Sequence, residues 1–210
     1  LKERSPSCGM KNVKVYPRMG KVAPLNSKNP GFFGRAVEER FPDLPREDEG
    51  RLRNFDIREH FLTQVFSLAR LRRVLKSGKM KDLIEFHTRH KLLLMAYSQE
   101  ELKILGNLVA NREGKKIEDL MAEYQNHFRA AIRKPPGPGP VENVLLHALG
   151  YFKEKVSPRE KEFFLDSIEG YRDHRHPLGV PVAIIRSWII RFDEPYLAGQ
   201  AFFDPYPSDL

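Results

Sequence analysis

The residues near the start of the chain that could do chemistry are a cysteine and the serines before it. Cys8 is the only cysteine among 210 residues, and it follows a Ser-Pro-Ser turn in the stretch LKERSPSCGM. One cysteine excludes an intramolecular disulfide, which agrees with a reducing compartment and predicts a cytoplasmic protein. Its thiol is interpreted either as an exposed, reactive group or as an inert side chain.

A run of cations in the middle of the chain predicts contact with a polyanion. The segment ARLRRVLKSGKMK, residues 69–81, holds six Lys and Arg residues and no Asp or Glu. Solvated helix faces usually carry both acidic and basic side chains, which form ion pairs with residues four positions away. This run has no acidic side chain and so forms no such pairs within itself. We expect the run and its extension onto the next helix to bind nucleic acid, with an ordinary solvated face as the alternative. The candidate residues are Arg70, Arg72, Arg73, Lys76, Lys79, Lys81, His87, Arg89 and Lys91.

The distribution of charge supports that expectation. The formal net charge of the chain is +8. Residues 51–134 carry 18 basic and 10 acidic side chains, whereas residues 135–210 carry 8 and 11. A basic block on an otherwise balanced protein indicates a polyanion partner more strongly than a uniformly high isoelectric point would.

Two pairs of histidines raise the question of a metal site. His87 and His90 lie one turn apart in a predicted helix, and His174 and His176 lie in a turn. Zinc needs further ligands, and none follows at a readable spacing. The favoured interpretation is a histidine hydrogen-bonded inside a helical bundle, or an extension of the basic run. An enzymatic centre at His87, Lys91, His174 and His176 is another alternative, although no nucleophile and base can be paired by spacing.

Several function classes are excluded by the motifs. The chain has no P-loop, no GxGxxG dinucleotide fingerprint and no GxSxG nucleophile motif. Its apolar runs are far shorter than the roughly 20 residues that cross a bilayer, so no membrane span is expected. The turn NPGFFG, residues 29–34, precedes a predicted helix and could hold an anion at the helix N-terminus.

The spacing of apolar residues predicts a mainly α chain. Capping signals occur at Ser98 with Glu101 and at Ser157 with Glu160. We expect an antiparallel bundle of about seven helices in which the proline-rich segment 134–140 is a stiff loop. The predicted helices cover about residues 56–76, 80–97, 99–111, 115–133, 141–155, 158–172 and the apolar stretch after Pro181.

Residues 1–50 have a different composition, rich in Gly, Pro and Asn. They contain a predicted strand, VKVY at 13–16, and a helix that follows NPGFFG and ends before Pro42. This segment is too small to stand alone, so we expect a small, incomplete α/β remnant before the bundle. Because residue 1 is leucine, the chain is expected to be a piece of a longer or processed protein.

Long stretches of the chain resemble two known families. FHTRHKLLLMAYSQEELKILGNLVAN and HPLGVPVAIIRSWIIRF, the latter followed by PYLAGQAFFDPYP, closely resemble the YbgA-like domain, a helical family long catalogued as of unknown function. LKERSPSCGM and GFFGRAVEERFPDLPREDEGRL resemble the C-terminal portion of the TudS-type thiouracil desulfidase domain. The two domains occur fused in RudS-type proteins, which are implicated in removing sulfur from 4-thiouridine in transfer RNA. The resemblance implies a desulfidase remnant at 1–52 and a YbgA-like domain at 53–210.

The resemblance also implies roles for individual residues. In the desulfidase family three cysteines hold a four-iron, four-sulfur cluster; Cys8 matches the last of them, and Ser5 matches a serine implicated in catalysis. The other two cysteines and a catalytic glutamate have no counterpart here and are expected upstream in the parent protein. We therefore expect no cluster to assemble on this fragment and no turnover by it alone. The helical domain would bind transfer RNA; a protein-interaction or regulatory domain without catalysis is the alternative.

Overall fold

The structure, a computed structural model, describes residues 1–207, and most of them are helical. Within this range no helix combines the length and the apolar character that a membrane span needs. The prediction of a mainly α chain after a small α/β segment is confirmed. The described elements are β1 (Val13–Val15), β2 (Asn26–Asn29), α1 (Phe32–Arg40), α2 (Phe55–Ser77), α3 (Met80–Tyr97), α4 (Gln99–Ala110), α5 (Ile117–Ala131), α6 (Pro138–Gly150), α7 (Pro158–Arg172), α8 (Gly179–Phe192) and α9 (Pro195–Ala198), with a 3-10 turn at Arg51–Arg53.

The chain divides into two compact units, Leu1–Val65 and a second that begins at Phe66, and the division lies inside α2. In the first unit β1 and β2 pair in antiparallel fashion, with Val13 opposite Asn29 and an irregular register toward Val15. Among the described side chains of this unit, Val13 is the one large apolar side chain that is buried. The assignment of separate domains to residues 1–52 and 53–210 stays a prediction.

Local capping fixes the beginnings of two helices in the second unit. The Ser98 hydroxyl accepts a hydrogen bond from the backbone N–H of Glu101 at 3.2 Å, which starts α4. At the start of α7, Ser157 and Glu160 each accept from the backbone N–H of the other, at 3.2 and 2.8 Å. The capping box predicted at Ser157 and Glu160 is confirmed. At Ser98 only the serine cap forms, and the Glu101 carboxylate lies instead 2.8 Å from Nδ1 of His127. Both caps satisfy donors that the first helical turn leaves open.

Helix α3 contributes side chains to both hydrophobic cores of the second unit. Leu83, Phe86 and Leu94 pack with the buried residues of α4 and α5, and Leu71 of α2 joins this core. Leu92 and Ala96 pack instead with α6, α7, α8 and the segment after it. The segment 134–140 therefore lies inside one unit, and α6 already begins within it, at Pro138. A single helix positions both halves of the bundle.

Candidate nucleic-acid interface and the cysteine turn

The end of α2 and the turn into α3 expose cations. The apolar residues Leu71, Val74 and Leu75 pack in the core beside α3, so the residues between them project into solvent. No carboxylate lies in the exposed set from residue 72 to residue 81, which comprises Arg72, Arg73, Lys76, Ser77, Gly78, Lys79 and Lys81. Farther along α3, Arg89 and Lys91 are exposed as well.

These exposed cations have no acidic partners within residues 1–207. We call the set the basic surface, and it consists of Arg72, Arg73, Lys76, Lys79, Lys81, Arg89 and Lys91; none of them forms an ion pair with a described carboxylate. Some cations of the other half of the bundle are paired: Arg172 lies 3.5 Å from Glu169, and Lys155 lies 3.5 Å from Glu194. The seven cations outnumber the two carboxylates of the same stretch, Asp82 and the exposed Glu85, so the basic surface has a net positive charge.

Arg70 lies next to this surface but is occupied by another contact. Its Nη1 donates to the carbonyl oxygen of Pro205 at 2.6 Å, and the side chain is half-buried. Burial lowers the pKa of its guanidinium, and the nearby charges of Arg89 and Arg73 act in the same direction. Arg70 is thus fastened to the C-terminal segment, and its predicted contact with nucleic acid stays a prediction.

The two histidines of α3 face the core. Nδ1 of His87 lies 3.1 Å from the Tyr124 hydroxyl, and burial, followed by the charge of Lys91, lowers the pKa of His87 to about 4. His90 is completely buried; its Nδ1 donates to the Phe86 carbonyl at 2.8 Å, and burial lowers its pKa to about 3. Both rings are neutral at pH 7. His87 therefore brings no charge to the basic surface, although the sequence predicted it as a contact.

The remaining histidine pair lies elsewhere. His174 is exposed in a left-handed conformation with φ 56°, at the end of α7, and the His176 ring packs against Gly170 of the same helix. His87, by contrast, packs against α5 through Tyr124. Among residues 1–207, no three His, Cys, Asp or Glu side chains come together in a group that could hold a metal ion.

In the first unit, the Ser-Pro-Ser-Cys turn packs on the N-terminus of α1. The backbone N–H groups of residues 31–34 donate to the carbonyl oxygens of residues 6, 7 and 9, at 2.8 to 3.2 Å. A Cβ atom at Gly34 would lie 2.5 Å from the Gly9 carbonyl oxygen, so glycine is required for this approach. The suggestion that NPGFFG holds an anion is wrong, because the donors that would bind it are already occupied.

Within this turn, Ser5 organises the backbone around the cysteine. Its Oγ accepts hydrogen bonds from the N–H groups of Ser7 and Cys8, both at 3.3 Å. Hydrogen bonding by the Ser5 side chain, and then by the backbone of Lys2, lowers the pKa of the Cys8 thiol. Because the thiolate is the nucleophile and the metal ligand, the turn favours the reactive form of Cys8.

Replacement of Ser5 by alanine is expected to raise the pKa of Cys8. The variant loses the hydroxyl group that stabilises the thiolate, so alkylation by iodoacetamide should reach half its maximal rate at a higher pH. Ser7→Ala is the matched control, because the Ser7 side chain is exposed and gives no hydrogen bond to the thiol. An alkylation profile that is the same in Ser5→Ala and in the native chain would contradict this role of Ser5.

One buried polar residue that contacts α3 gave no signal in the sequence. Gln200 is almost completely buried, and its side chain contacts the backbone of α3. A single glutamine in AGQAFF belongs to no periodic pattern and to no motif. Only the contact between segments far apart in the chain reveals it.

The described structure is that of a mainly helical protein with an exposed basic surface. Comparison with known proteins identifies its family. A family model described as "Protein of unknown function (DUF1722)" matches residues 91–207, and the chain belongs to this family. The chain is similar to the "Uncharacterized protein YbgA" of Escherichia coli (strain K12), with 29% identity over 158 residues that cover 74% of this chain and 92% of that protein. No solved structure matches the chain. The resemblance to the YbgA-like domain is confirmed, and the resemblance to the desulfidase domain stays a prediction.

Proposed function

We propose that the helical domain binds transfer RNA through the basic surface, and that it serves as the RNA-binding module of a thiouridine desulfidase. The observation that carries the first part is the set of seven exposed cations with no carboxylate partner in residues 1–207. Mutual repulsion among these cations is relieved when a polyanion covers them. Phosphates are the polyanion groups best matched to this set, since arginine can bind a phosphate through two parallel hydrogen bonds.

The geometry favours backbone contacts over base recognition. Long cationic side chains on α2 and α3 reach phosphate oxygens, which fix the position of an RNA without reading its sequence. Phe86, on the same helix as Arg89 and Lys91, is buried and stacks on His90 with 3.9 Å between ring centroids. We therefore expect the domain to hold the RNA and leave base selection to another element.

The desulfidase part of the proposal rests on the cysteine turn. The resemblance of LKERSPSCGM to that family and the lowered pKa of the Cys8 thiol both support it. The residues present do not fit a complete cluster site, however, because the family uses three cysteines and this chain has one. No described group of three candidate ligands replaces the others. The proposal therefore assigns no reaction step to these 210 residues alone.

The lack of a core in the first unit also supports a larger catalytic domain. Val13 is the one buried large apolar side chain described there, whereas Phe32 is 87% exposed and Leu25 is 72% exposed. Burial of such side chains normally supplies the free energy that holds an α/β segment together. We infer that residues 1–52 complete their fold against further polypeptide.

The RNA-binding proposal is tested by titrating fluorescently labelled transfer RNA with the chain at several salt concentrations. If all seven cations of the basic surface meet phosphates, the slope of log affinity against log salt is expected to be about −5 to −6. Transfer RNA with and without 4-thiouridine should bind equally, because phosphate contacts do not read the base. No binding, or an affinity that does not depend on salt, would contradict the proposal.

A further inference from the structure

A side chain from the C-terminal segment bonds to two backbone groups of α3. Nε2 of Gln200 donates to the Thr88 carbonyl oxygen at 2.9 Å, and Oε1 of Gln200 accepts from the Leu92 N–H at 3.1 Å. In a regular α-helix those two backbone groups bond to each other, because they are four residues apart. The Gln200 amide bonds to both of them and therefore spans one turn of α3. Only 1% of Gln200 is exposed.

The residues after Gln200 continue to fasten helices. The Ala201 N–H donates to the Arg89 carbonyl oxygen at 2.8 Å, which adds a third bond to the α3 backbone. The Pro205 carbonyl accepts from Arg70 of α2 at 2.6 Å. One short segment, residues 200–206, therefore holds both helices that carry the basic surface, and we call it the C-terminal clamp.

We propose that the C-terminal clamp sets the spacing of the two parts of the basic surface and that Gln200 is its positioning residue. This inference rests on the proposed RNA binding. Thr88 and Leu92 are the two ends of the turn of α3 that carries Arg89 and Lys91, so the Gln200 amide holds that turn and with it the direction of both cations. On α2 the anchor lies directly before the cations of its last two turns.

Chemistry explains why a glutamine occupies this position. The site needs a donor for the Thr88 carbonyl and an acceptor for the Leu92 N–H on one short, flat group, and an amide supplies both. An ionised glutamate lacks the donor, and leucine lacks both groups. When the amide is removed, this turn of α3 loses its bonds to the C-terminal segment. The helix keeps its own backbone bonds and persists, while the turn that carries Arg89 and Lys91 is expected to move.

The test compares Gln200→Leu with the double variant Arg89→Ala/Lys91→Ala and with the combination of all three changes, using transfer RNA as the probe. We expect Gln200→Leu to weaken binding about 10-fold and to reduce the magnitude of the salt slope by about 2, as the double variant does. The combined variant should bind no more weakly than either parent, because Gln200 acts through those two cations. Gln99→Leu, at an exposed position of α4, is the matched control and should bind as the native chain does.

Circular dichroism confirms that each variant is folded before binding is measured. Gln200→Asn replaces Gln200→Leu if the latter does not fold, since the shorter amide keeps the polarity but does not reach both backbone groups. A folded Gln200 variant with native affinity and native salt slope overturns the positioning role. An additive loss in the combined variant overturns it too, because it would show that Gln200 acts independently of Arg89 and Lys91. Absence of binding by the native chain instead overturns the proposed function, and the positioning role with it.

Discussion

Reversing three charges at the end of α2 is expected to weaken the binding of transfer RNA by about 100-fold or more. The variant is Arg72→Glu/Arg73→Glu/Lys76→Glu. Each change removes a cation that has no carboxylate partner in the described structure and puts a negative charge where a phosphate is expected. The magnitude of the salt slope should fall by about 3, roughly one for each lost phosphate contact. Fluorescence anisotropy at several salt concentrations measures both quantities.

A variant with the same change in net charge separates local contact from general electrostatics. Lys153→Glu/Arg159→Glu/Lys161→Glu changes three exposed cations in the half of the bundle where acidic residues predominate. It should weaken binding less than about threefold under moderate salt, because charges beyond a Debye length of about 10 Å are largely screened. Equal losses in the two triple variants would contradict the assignment of binding to the basic surface.

The triple reversal is not expected to unfold the chain. All three side chains on α2 are exposed, and the core contacts of that helix come from other residues, including Leu71. Glutamates near the C-terminus of a helix interact unfavourably with its dipole, at a cost of about 0.3–1 kcal/mol each. A companion variant with glutamine at the same positions avoids this cost and should still lose most of the affinity.

The helices were predictable because their signals are local. Apolar spacing predicted α2 to α8, and the serine caps of α4 and α7 predicted where two of them begin. The strand β2 was missed, since NSKN has little strand propensity and is defined only by its pairing with β1. The anion site suggested at NPGFFG was also wrong because of contacts with a distant segment. Its donors are consumed by carbonyl groups more than 20 residues away in the chain.

Within the candidate interface, residue type was readable from the sequence and orientation was not. The run of cations identified Arg72, Arg73 and Lys76, and all three are exposed. Helical spacing placed His87 close to them, but Tyr124 on another helix turns its ring toward the core. Gln200 was invisible for a similar reason, because its partners lie on a helix more than 100 residues earlier. Contacts between distant segments decide which polar residues face solvent.

The buried histidines give the second large expected effect: lowering the pH from 7 to 5 should reduce the free energy of unfolding by about 4 kcal/mol through His87 and His90. In the unfolded chain each ring takes up a proton near its ordinary pKa of 6.5, whereas the folded values are about 4 and about 3. The unfolded state therefore binds more protons in this range, and stability falls as the pH falls. Each histidine accounts for about 2 kcal/mol at pH 5. Urea unfolding followed by the fluorescence of the buried Trp188 measures the change in the second unit.

Substitution of one histidine isolates its share and bears on the interface as well. His87→Gln keeps a partner for the Tyr124 hydroxyl but cannot take up a proton, so about half of the acid-induced loss should disappear. His147→Gln removes an exposed ring on α6 and should leave the loss unchanged. An unchanged pH dependence in His87→Gln would show that this ring is not held neutral in the core. Because His87 stays neutral above pH 5, it should not change the affinity for RNA between pH 7.5 and 6. The proposed attraction for phosphate then comes from the lysines and arginines alone.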